Sequence, residues 1–538
     1  MSRASLVLGI VLASLTAGET ARAQETLTFE GEVPGEGDYF VVPFEVPEGV
    51  AEIEVRHDDL SEANILDWGL FDPGGFRGYG GGNTEPAIVG ADAASRSYLP
   101  GPIAAGTWAV YVGKAKIAET PARYRIEIVL RETATLAPQT ERRPYQPIPA
   151  ISTEARWYAG DFHVHSRESG DASPSLEEVA SYAESVGLDF IMLSEHNTTS
   201  HVDLLAAVQA AHPDLLLVPG VEVTTYQGHA MSLGGTEWID HRLGYEGVTM
   251  EGIAEEVHAQ GALFSINHPA LALGDMCIGC AWTATLDGSE IDAIELQTGA
   301  FSVTGIFLRQ VTARWEDYVA AGHRVVAIGG SDDHRGGAGT GRFDSPIGSP
   351  TTMVWAEELS VAAILEAVRR GRTVVKLEGP DDPMVEPTSP ELGAESDTIV
   401  ADTATFRVRV TGASEGATLR LVRSGVAGPA IDVVGDPFEH EETMIASAGE
   451  DFVRAELFVG GRPRVITNHM FIRPLTPGGP DAGIAPDGGA AEYVGGGGCS
   501  CRVGAANGEG PLAAMLLALA LAAVRRRALR RRALRSSR

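Results

Sequence analysis

The stretch Trp157-Tyr-Ala-Gly-Asp161-Phe-His163-Val-His165-Ser166 decides how this chain is read. An apolar, strand-like run ends in two imidazoles at i and i+2, and a strand places both on one face, where they can chelate a single ion. The same design recurs downstream. Leu188-Asp-Phe-Ile-Met-Leu runs into Ser194-Glu195-His196, and Leu215-Leu-Leu-Val into Pro219-Gly-Val-Glu222, with His229 beyond it. Ala262-Leu-Phe-Ser-Ile runs into Asn267-His268-Pro269, and Arg324-Val-Val-Ala-Ile into Gly329-Gly-Ser-Asp332-Asp333-His334. Ile291-Asp-Ala-Ile-Glu-Leu is a further run of this kind, and Asp171 follows the first motif.

Helical stretches lie between some of these runs, as over Ser175 to Val186, where Pro174-Ser175-Leu-Glu-Glu has the form of a helix start. Repeated strand–helix units predict a parallel α/β sheet or barrel. In such folds the C-terminal strand ends meet on one face. His163, His165, Asp171, His196, Glu222, His229, His268, Asp332 and His334 are therefore expected to converge there as metal ligands. Imidazole and carboxylate donors accept zinc, manganese or iron, at about 2.0–2.2 Å. His57, His201, His212, His241, His258, His323, His440 and His469 lack the strand-end placement and are read as structural or surface residues.

Residues 25–136 show short alternating runs such as Phe40-Val-Val-Pro-Phe-Glu-Val between turn signals, which predicts an antiparallel β-sandwich. Residues 137–150 are polar and Pro-rich and read as a linker, and residues 151–380 carry the metal motifs. Alternation returns over 381–474, which predicts a second, smaller β-sandwich, and 475–498 is a Gly/Pro-rich stalk.

The 538 residues suggest several folded units. With 41 Lys+Arg against 73 Asp+Glu, a net charge of −32, nucleic acid is excluded as an expected partner. The two ends carry addresses. Residues 1–23 have a positive start, a short apolar run and Ala21-Arg22-Ala23, the form of a cleaved export signal. Residues 499–538 hold Cys499-Ser-Cys501, an apolar helix over 511–524 and an Arg-rich end, an order that stops translocation. This tail resembles the myxobacterial C-terminal sorting tail, which implies processing by sorting machinery and surface display; a plain membrane anchor is the alternative. An extracytoplasmic chain at the cell surface, outer membrane or periplasm is expected. Cys277 and Cys280 are the remaining cysteines, and in an oxidising compartment this Cys-x-x-Cys pair is expected to form a local disulfide, a metal role being the alternative. Their loop follows His268 in sequence and is expected to cover the pocket.

Taken together, Gly160-Asp-Phe-His-Val-His-Ser, Ser169-Gly-Asp171, Gly187-Leu-Asp-Phe-Ile-Met-Leu-Ser-Glu-His-Asn197, Gly220-Val-Glu-Val-Thr-Thr, Gly228-His229, Asn267-His-Pro and Gly330-Ser-Asp-Asp-His334 resemble the PHP (polymerase and histidinol phosphatase) superfamily. The nearest likeness is to its carbaryl-hydrolase-type (CehA/McbA) branch. Leu70-Phe-Asp-Pro, Leu99-Pro-Gly-Pro with Gly106-Thr-Trp, and Val465-Ile-Thr-Asn add to it in the flanking regions. The resemblance implies a distorted (β/α)7 barrel with two or three divalent ions. It implies that His163, His165, Glu222 and Asp332 hold the first, that Glu222 bridges to a second on His229 and His268, and that Asp171, His196 and His334 hold a third. The residue before the second-motif His is usually Asp in the family, whereas this chain has Glu195.

Ions a few ångströms apart lower the pKa of bound water toward about 7 and stabilise developing negative charge. The expected activity is hydrolysis of a small-molecule ester: a phosphoester by superfamily precedent, a carboxyl or carbamate ester by branch precedent. Asp333 and Arg335 are candidate catalytic groups, Asp333 as a proton acceptor; Arg167 and Arg342, with Arg335, are candidates to clamp a phosphate, against the alternative of solvated loop arginines. A non-catalytic surface binding or adhesive protein with a relic barrel, and a metal-scavenging protein, are the competing classes.

Overall fold

The structure, a computed structural model, describes residues 24–338, 345–392, 397–447 and 449–475. The export signal, most of the stalk, the apolar helix over 511–524, Cys499, Cys501 and Arg342 lie outside the described residues. No helix among the described residues is long and apolar enough to cross a membrane.

At the N-terminal end two antiparallel four-stranded sheets face each other. Gln24–Glu32, Arg123–Arg131, Glu52–Asp58 and Ala87–Gly90 build one; Tyr39–Val46, Gly106–Lys116, Ile65–Asp72 and Gly75–Gly81 build the other. Alternation sends Phe44, Ile53, Leu70, Trp108, Val110 and Ile126 into a shared core, as period-two patterning requires.

Seven strands build the region that carries the motifs: Arg156–Val164, Phe190–His196, Leu216–Thr225, Gly228–Leu233, Leu263–Ile266, Ala293–Thr298 and Val326–Gly330. They are hydrogen-bonded side by side in that order. The first three are parallel, and the last three are parallel to one another. Each is buried on both faces. Ile191 and Leu193 pack under the helices Leu176–Ser185 and Leu205–Ala211, while Phe190 and Met192 meet Leu216, Val218 and Ile328 on the opposite side. The helix Leu176–Ser185 starts as its sequence directs, with Ser175 and Glu178 forming a reciprocal capping box.

The expected strand–helix repeat is realised only in part. Tyr226 and Gln227 alone separate the third strand from the fourth, and a two-residue connection forces an antiparallel hairpin. The crossover from the fifth strand to the sixth carries only the short 3₁₀ turns Gly274–Met276 and Gly288–Glu290. The sheet still curls back on itself. Asp332 N donates to His163 O at 2.8 Å and His165 N to Asp333 O at 3.0 Å, so the end of the seventh strand meets the end of the first. Gly330 permits this approach, because a Cβ there would lie 2.3 Å from the His163 Cβ.

The first strand also pairs with Thr351–Ala356, which pairs with Thr373–Lys376. That last strand pairs with Arg462–Thr467, so the sheet runs without a break into the C-terminal region. There a three-stranded sheet (Met384–Thr388, Thr403–Thr411, Phe438–Ile445) covers it around Val385, Phe406, Leu419, Leu457 and Val465. The C-terminal sandwich is thus built onto the central sheet instead of standing apart from it.

Candidate metal centre

Strand ends deliver the chemistry. His163 lies in the first strand with His165 just past it, His196 closes the second, Glu222 lies in the third and His229 in the fourth. His268 follows the fifth strand, and Asp332 and His334 follow the seventh. His163, His165, Glu222 and Asp332 bring ligand atoms within 4.8 Å of one another, as do Glu222, His229 and His268, and His165, His196 and His334. Asp171 stands 3.6 Å from His196 Nε2 and 3.5 Å from His334 Nε2. The structure therefore adds His165 to the third set and places Asp171 at its solvent side, where its side chain is 64% exposed. The first two sets form a buried floor; His163, His165 and Glu222 are fully buried.

Glu222 is the hub. His163 Nε2, His229 Nδ1 and His268 Nε2 surround its Oε1 at 3.3, 3.3 and 3.1 Å, and His165 Nε2 and His196 Nδ1 lie 3.6 and 2.7 Å from its Oε2. Asp332 Oδ1 lies 3.3 and 3.2 Å from the Nε2 atoms of His163 and His165.

Five of the six imidazoles give one nitrogen to an outer partner and turn the other to the cluster, while His196 Nδ1 meets both Thr224 and Glu222. Glu295 Oε1 lies 2.6 Å from His163 Nδ1, Ser169 Oγ 3.1 Å from His165 Nδ1 and Thr224 Oγ1 2.9 Å from His196 Nδ1. The Asp332 carbonyl takes His334 Nδ1 at 2.9 Å, that of Cys280 takes His268 Nδ1 at 3.2 Å, and that of Ile278 takes His229 Nε2 at 3.2 Å. Such partners select the tautomer and raise the basicity of the other nitrogen. Ser169 Oγ also donates to Glu195 Oε2 at 2.6 Å, and Ser166 Oγ donates to Glu195 Oε1 at 2.6 Å. Glu195 thus spans both serines of the loop between the first strand and its helix.

The electrostatics fit a cation site. Burial opposes charge on His163, but the carboxylates of Glu295, Glu222 and Asp332 outweigh it and hold its pKa well above the ordinary value. Against burial, Asp171 and Asp332 push His334 up to about 10. Burial and the neighbouring imidazoles His196 and His334 take His165 down to about 3. Burial would raise the carboxyl pKa of Glu222, yet His163 and His196 hold it well below the carboxylate range. The carboxylates are thus ionised and balanced by protons on some imidazoles, protons that a divalent ion displaces.

Two further observations test the fit. Glu222 Oε2 and His229 Nδ1 are buried with no well-aligned hydrogen bond among the described residues, so each has a donor lone pair to give. His163 Nε2 and His165 Nε2 are 3.0 Å apart, and His196 Nε2 and His334 Nε2 3.3 Å. Two nitrogens on one tetrahedral ion, at the usual bond lengths, are about 3.3 Å apart. The donor set, all imidazole and carboxylate, suits zinc, manganese or iron. Two ligand-bearing residues also hold left-handed backbone without being glycine, His268 at φ 28° and Asp332 at φ 54°, strain of the kind that collects at functional sites.

The remaining candidates lie around this centre. Asp333 is buried, and its Oδ1 accepts Arg335 N at 2.9 Å and Gly337 N at 3.1 Å, bracing the loop that carries His334. Arg167 and Arg335 are exposed on loops after the first and seventh strands. Cys277 and Cys280 are joined as a disulfide, with Cα atoms 5.5 Å apart. Sequence reasoning missed Glu295, whose second oxygen accepts His268 N at 2.8 Å, and Asn267, whose Nδ2 donates to Glu222 Oε1 at 3.0 Å. A carboxylate inside the apolar run Ile291–Leu296 was the available signal for Glu295.

No protein-family model and no curated protein matches the chain. Among solved structures it is similar to a two-domain protein containing a predicted PHP-like metal-dependent phosphoesterase from Bacteroides vulgatus ATCC 8482. The identity is 18% over 61% of this chain and 98% of that one, with a TM-score of 0.34. It is also similar to a proposed metal-dependent phosphoesterase from Bifidobacterium adolescentis ATCC 15703, at 13% identity, 35% of this chain, 92% of that chain and a TM-score of 0.26. At such TM-scores neither likeness bears on the chemistry, which rests on the side chains themselves.

Proposed function

We propose that the protein is a metal-dependent hydrolase of the PHP type, carbaryl-hydrolase-like branch, which splits an ester bond: a phosphoester first, a carboxyl or carbamate ester second. One observation carries this reading: the single buried carboxylate of Glu222 with nitrogens of His163, His165, His196, His229 and His268 within 3.6 Å. A solvated structural cluster has no use for so many neutralisable ligands around one acid, whereas two or three divalent ions do. Such ions would supply a Lewis acid at the scissile group and acidify water.

The chain's own residues do the rest. Glu222, His163 and His165 form a floor closed to bulk water, which strengthens every charge interaction at it. Asp171, His196 and His334 form the open side, through which a substrate reaches the floor. Asp333 holds the His334–Gly337 loop in place through backbone N–H groups. Arg167 and Arg335, exposed on the loops after the first and seventh strands, are the groups assigned to a phosphate. The proposal includes export and surface attachment through the C-terminal tail, on the sequence grounds given above.

The test is a panel of chromogenic phosphate mono- and diesters, acetates and carbamates, assayed after metal stripping and after return of zinc, manganese or iron. Turnover should be lost on stripping, return with metal and be absent in His163→Ala at unchanged circular dichroism. Turnover that ignores both metal and His163 overturns the reading.

A further inference from the structure

We propose that the Cys277–Cys280 loop is a positioning latch for the ligand set Glu222–His229–His268, and that its disulfide sets how tightly this set holds a divalent ion. The inference rests on the reading of the centre as a metal site, and goes beyond it.

The loop reaches both histidines of this set and does so with backbone. His229 presents Nδ1 to Glu222 and donates from Nε2 to the Ile278 carbonyl at 3.2 Å. His268 presents Nε2 to Glu222 and donates from Nδ1 to the Cys280 carbonyl at 3.2 Å. Two carbonyls, two residues apart, therefore choose the tautomer and aim of two ligands delivered by different strands. The other four imidazoles take their outer partners from Glu295, Ser169, Thr224 and the Asp332 carbonyl, outside this loop.

What holds those carbonyls in place is short and local. The disulfide encloses only Ile278 and Gly279, so it removes little entropy from the unfolded chain and acts chiefly on the shape of this turn. Gly279 sits at φ 81°, and a Cβ there would lie 2.2 Å from the Thr225 carbonyl, so the loop lies flush on the hairpin that carries Glu222 and His229. On either side, Trp282 N donates to Pro269 O at 3.0 Å and Lys116 of the N-terminal sandwich pairs with Asp275 at 2.5 Å. These anchors do not pass through the disulfide, whereas the Ile278 and Cys280 carbonyls lie on the segment that it closes.

Reduction by a trialkylphosphine cleaves the S–S bond. Phosphorus is oxidised to the phosphine oxide with oxygen from water, and the two water protons end on the two thiols. The loop then gains freedom, and both histidines lose a fixed acceptor while His163, His165, His196 and His334 keep their outer partners. Outer partners of metal-binding histidines are worth 10–100-fold in affinity.

The test is calorimetric titration of the full chain with Mn²⁺, an ion that thiolates bind poorly. One of the binding steps should weaken by about 10–100-fold on phosphine treatment, with the others unchanged, and should recover on reoxidation. Gly279→Ala should weaken the same step with no free thiol detected, and Cys277→Ser/Cys280→Ser should be weakened and indifferent to phosphine. Binding steps that ignore both reduction and Gly279→Ala overturn the latch while leaving the metal reading intact. Absence of any Mn²⁺ binding by the oxidised protein overturns the metal reading and the latch with it. Tighter zinc binding on reduction would assign Cys277, Cys280 and His229, whose ligand atoms lie within 4.8 Å of one another, to a thiolate site and would also overturn the latch.

Discussion

A metal-binding imidazole does two jobs, and the second falls to a neighbour. His163 illustrates it: Nε2 faces Glu222 and Asp332, while Glu295 Oε1 lies 2.6 Å from Nδ1. Glu295→Gln keeps the shape and removes the negative charge, so we predict a 10–100-fold loss of metal affinity in the first set, read by titration calorimetry, with the melting temperature changed little. Most of the candidate ligands were legible in the chain because they stand at strand ends. Their outer partners were not, since Glu295, Thr224 and Ser169 have no periodic or spacing signature and are identified only by the direction their side chains take. Glu195 shows the same limit. The chain places this acid beside His196, but only the fold shows that it spans Ser166 and Ser169.

At the scale of elements, the strands were readable and their pairing was not. Leu188–Leu193, Ala262–Ile266 and Arg324–Ile328 mark strands within a few residues of Phe190–His196, Leu263–Ile266 and Val326–Gly330. The pairing of Thr373–Lys376 with Arg462–Thr467 escapes such a reading because long-range pairing leaves no local pattern, and the Tyr226-Gln227 hairpin escapes it because its turn lacks the Asn-Gly or Asp-Gly signal. Two residues show how closure is secured. Asn468 accepts from Ala327 N at 3.0 Å and donates to Ala327 O at 3.0 Å, tying the C-terminal region to the seventh strand. Asn468→Ala strands the buried Ala327 N, while Ala327 O keeps the Thr373 hydroxyl at 2.8 Å, and we predict a loss of about 1–3 kcal/mol, measured by urea unfolding. Gly330→Ala forces a Cβ to within 2.3 Å of that of His163. A cost of about 1–3 kcal/mol is expected, together with weaker binding in the first ligand set, read by unfolding and by metal titration.

On the whole molecule, the N-terminal sandwich is part of the site's scaffold. Arg96 donates to the carbonyls of Ala172 and Gly170 at 3.0 and 3.1 Å, on either side of Asp171, and Ser97 Oγ donates to Glu168 O at 2.7 Å. Away from the cluster, burial lowers the pKa of His201 and His241 to about 3 and that of His469 well below the ordinary value. The folded state keeps these groups neutral, while the unfolded chain binds their protons below about pH 6.5. The contribution of His201 and His241 is therefore complete above about pH 6.5 and is lost as pH falls toward 3, at up to about 1.4 kcal/mol per pH unit for each, and that of His469 is lost in the same direction. Urea midpoints at pH 7.5 and 5 should show the decline, and His241→Phe should make it shallower. The central claim is that ligands scattered between His163 and His334 hold cations in one pocket, and anomalous diffraction from crystals grown with zinc or manganese tests it most directly. The account predicts one peak among His163, His165, Glu222 and Asp332 and a second among Glu222, His229 and His268; crystals with no peak within bonding distance of Glu222 would contradict it.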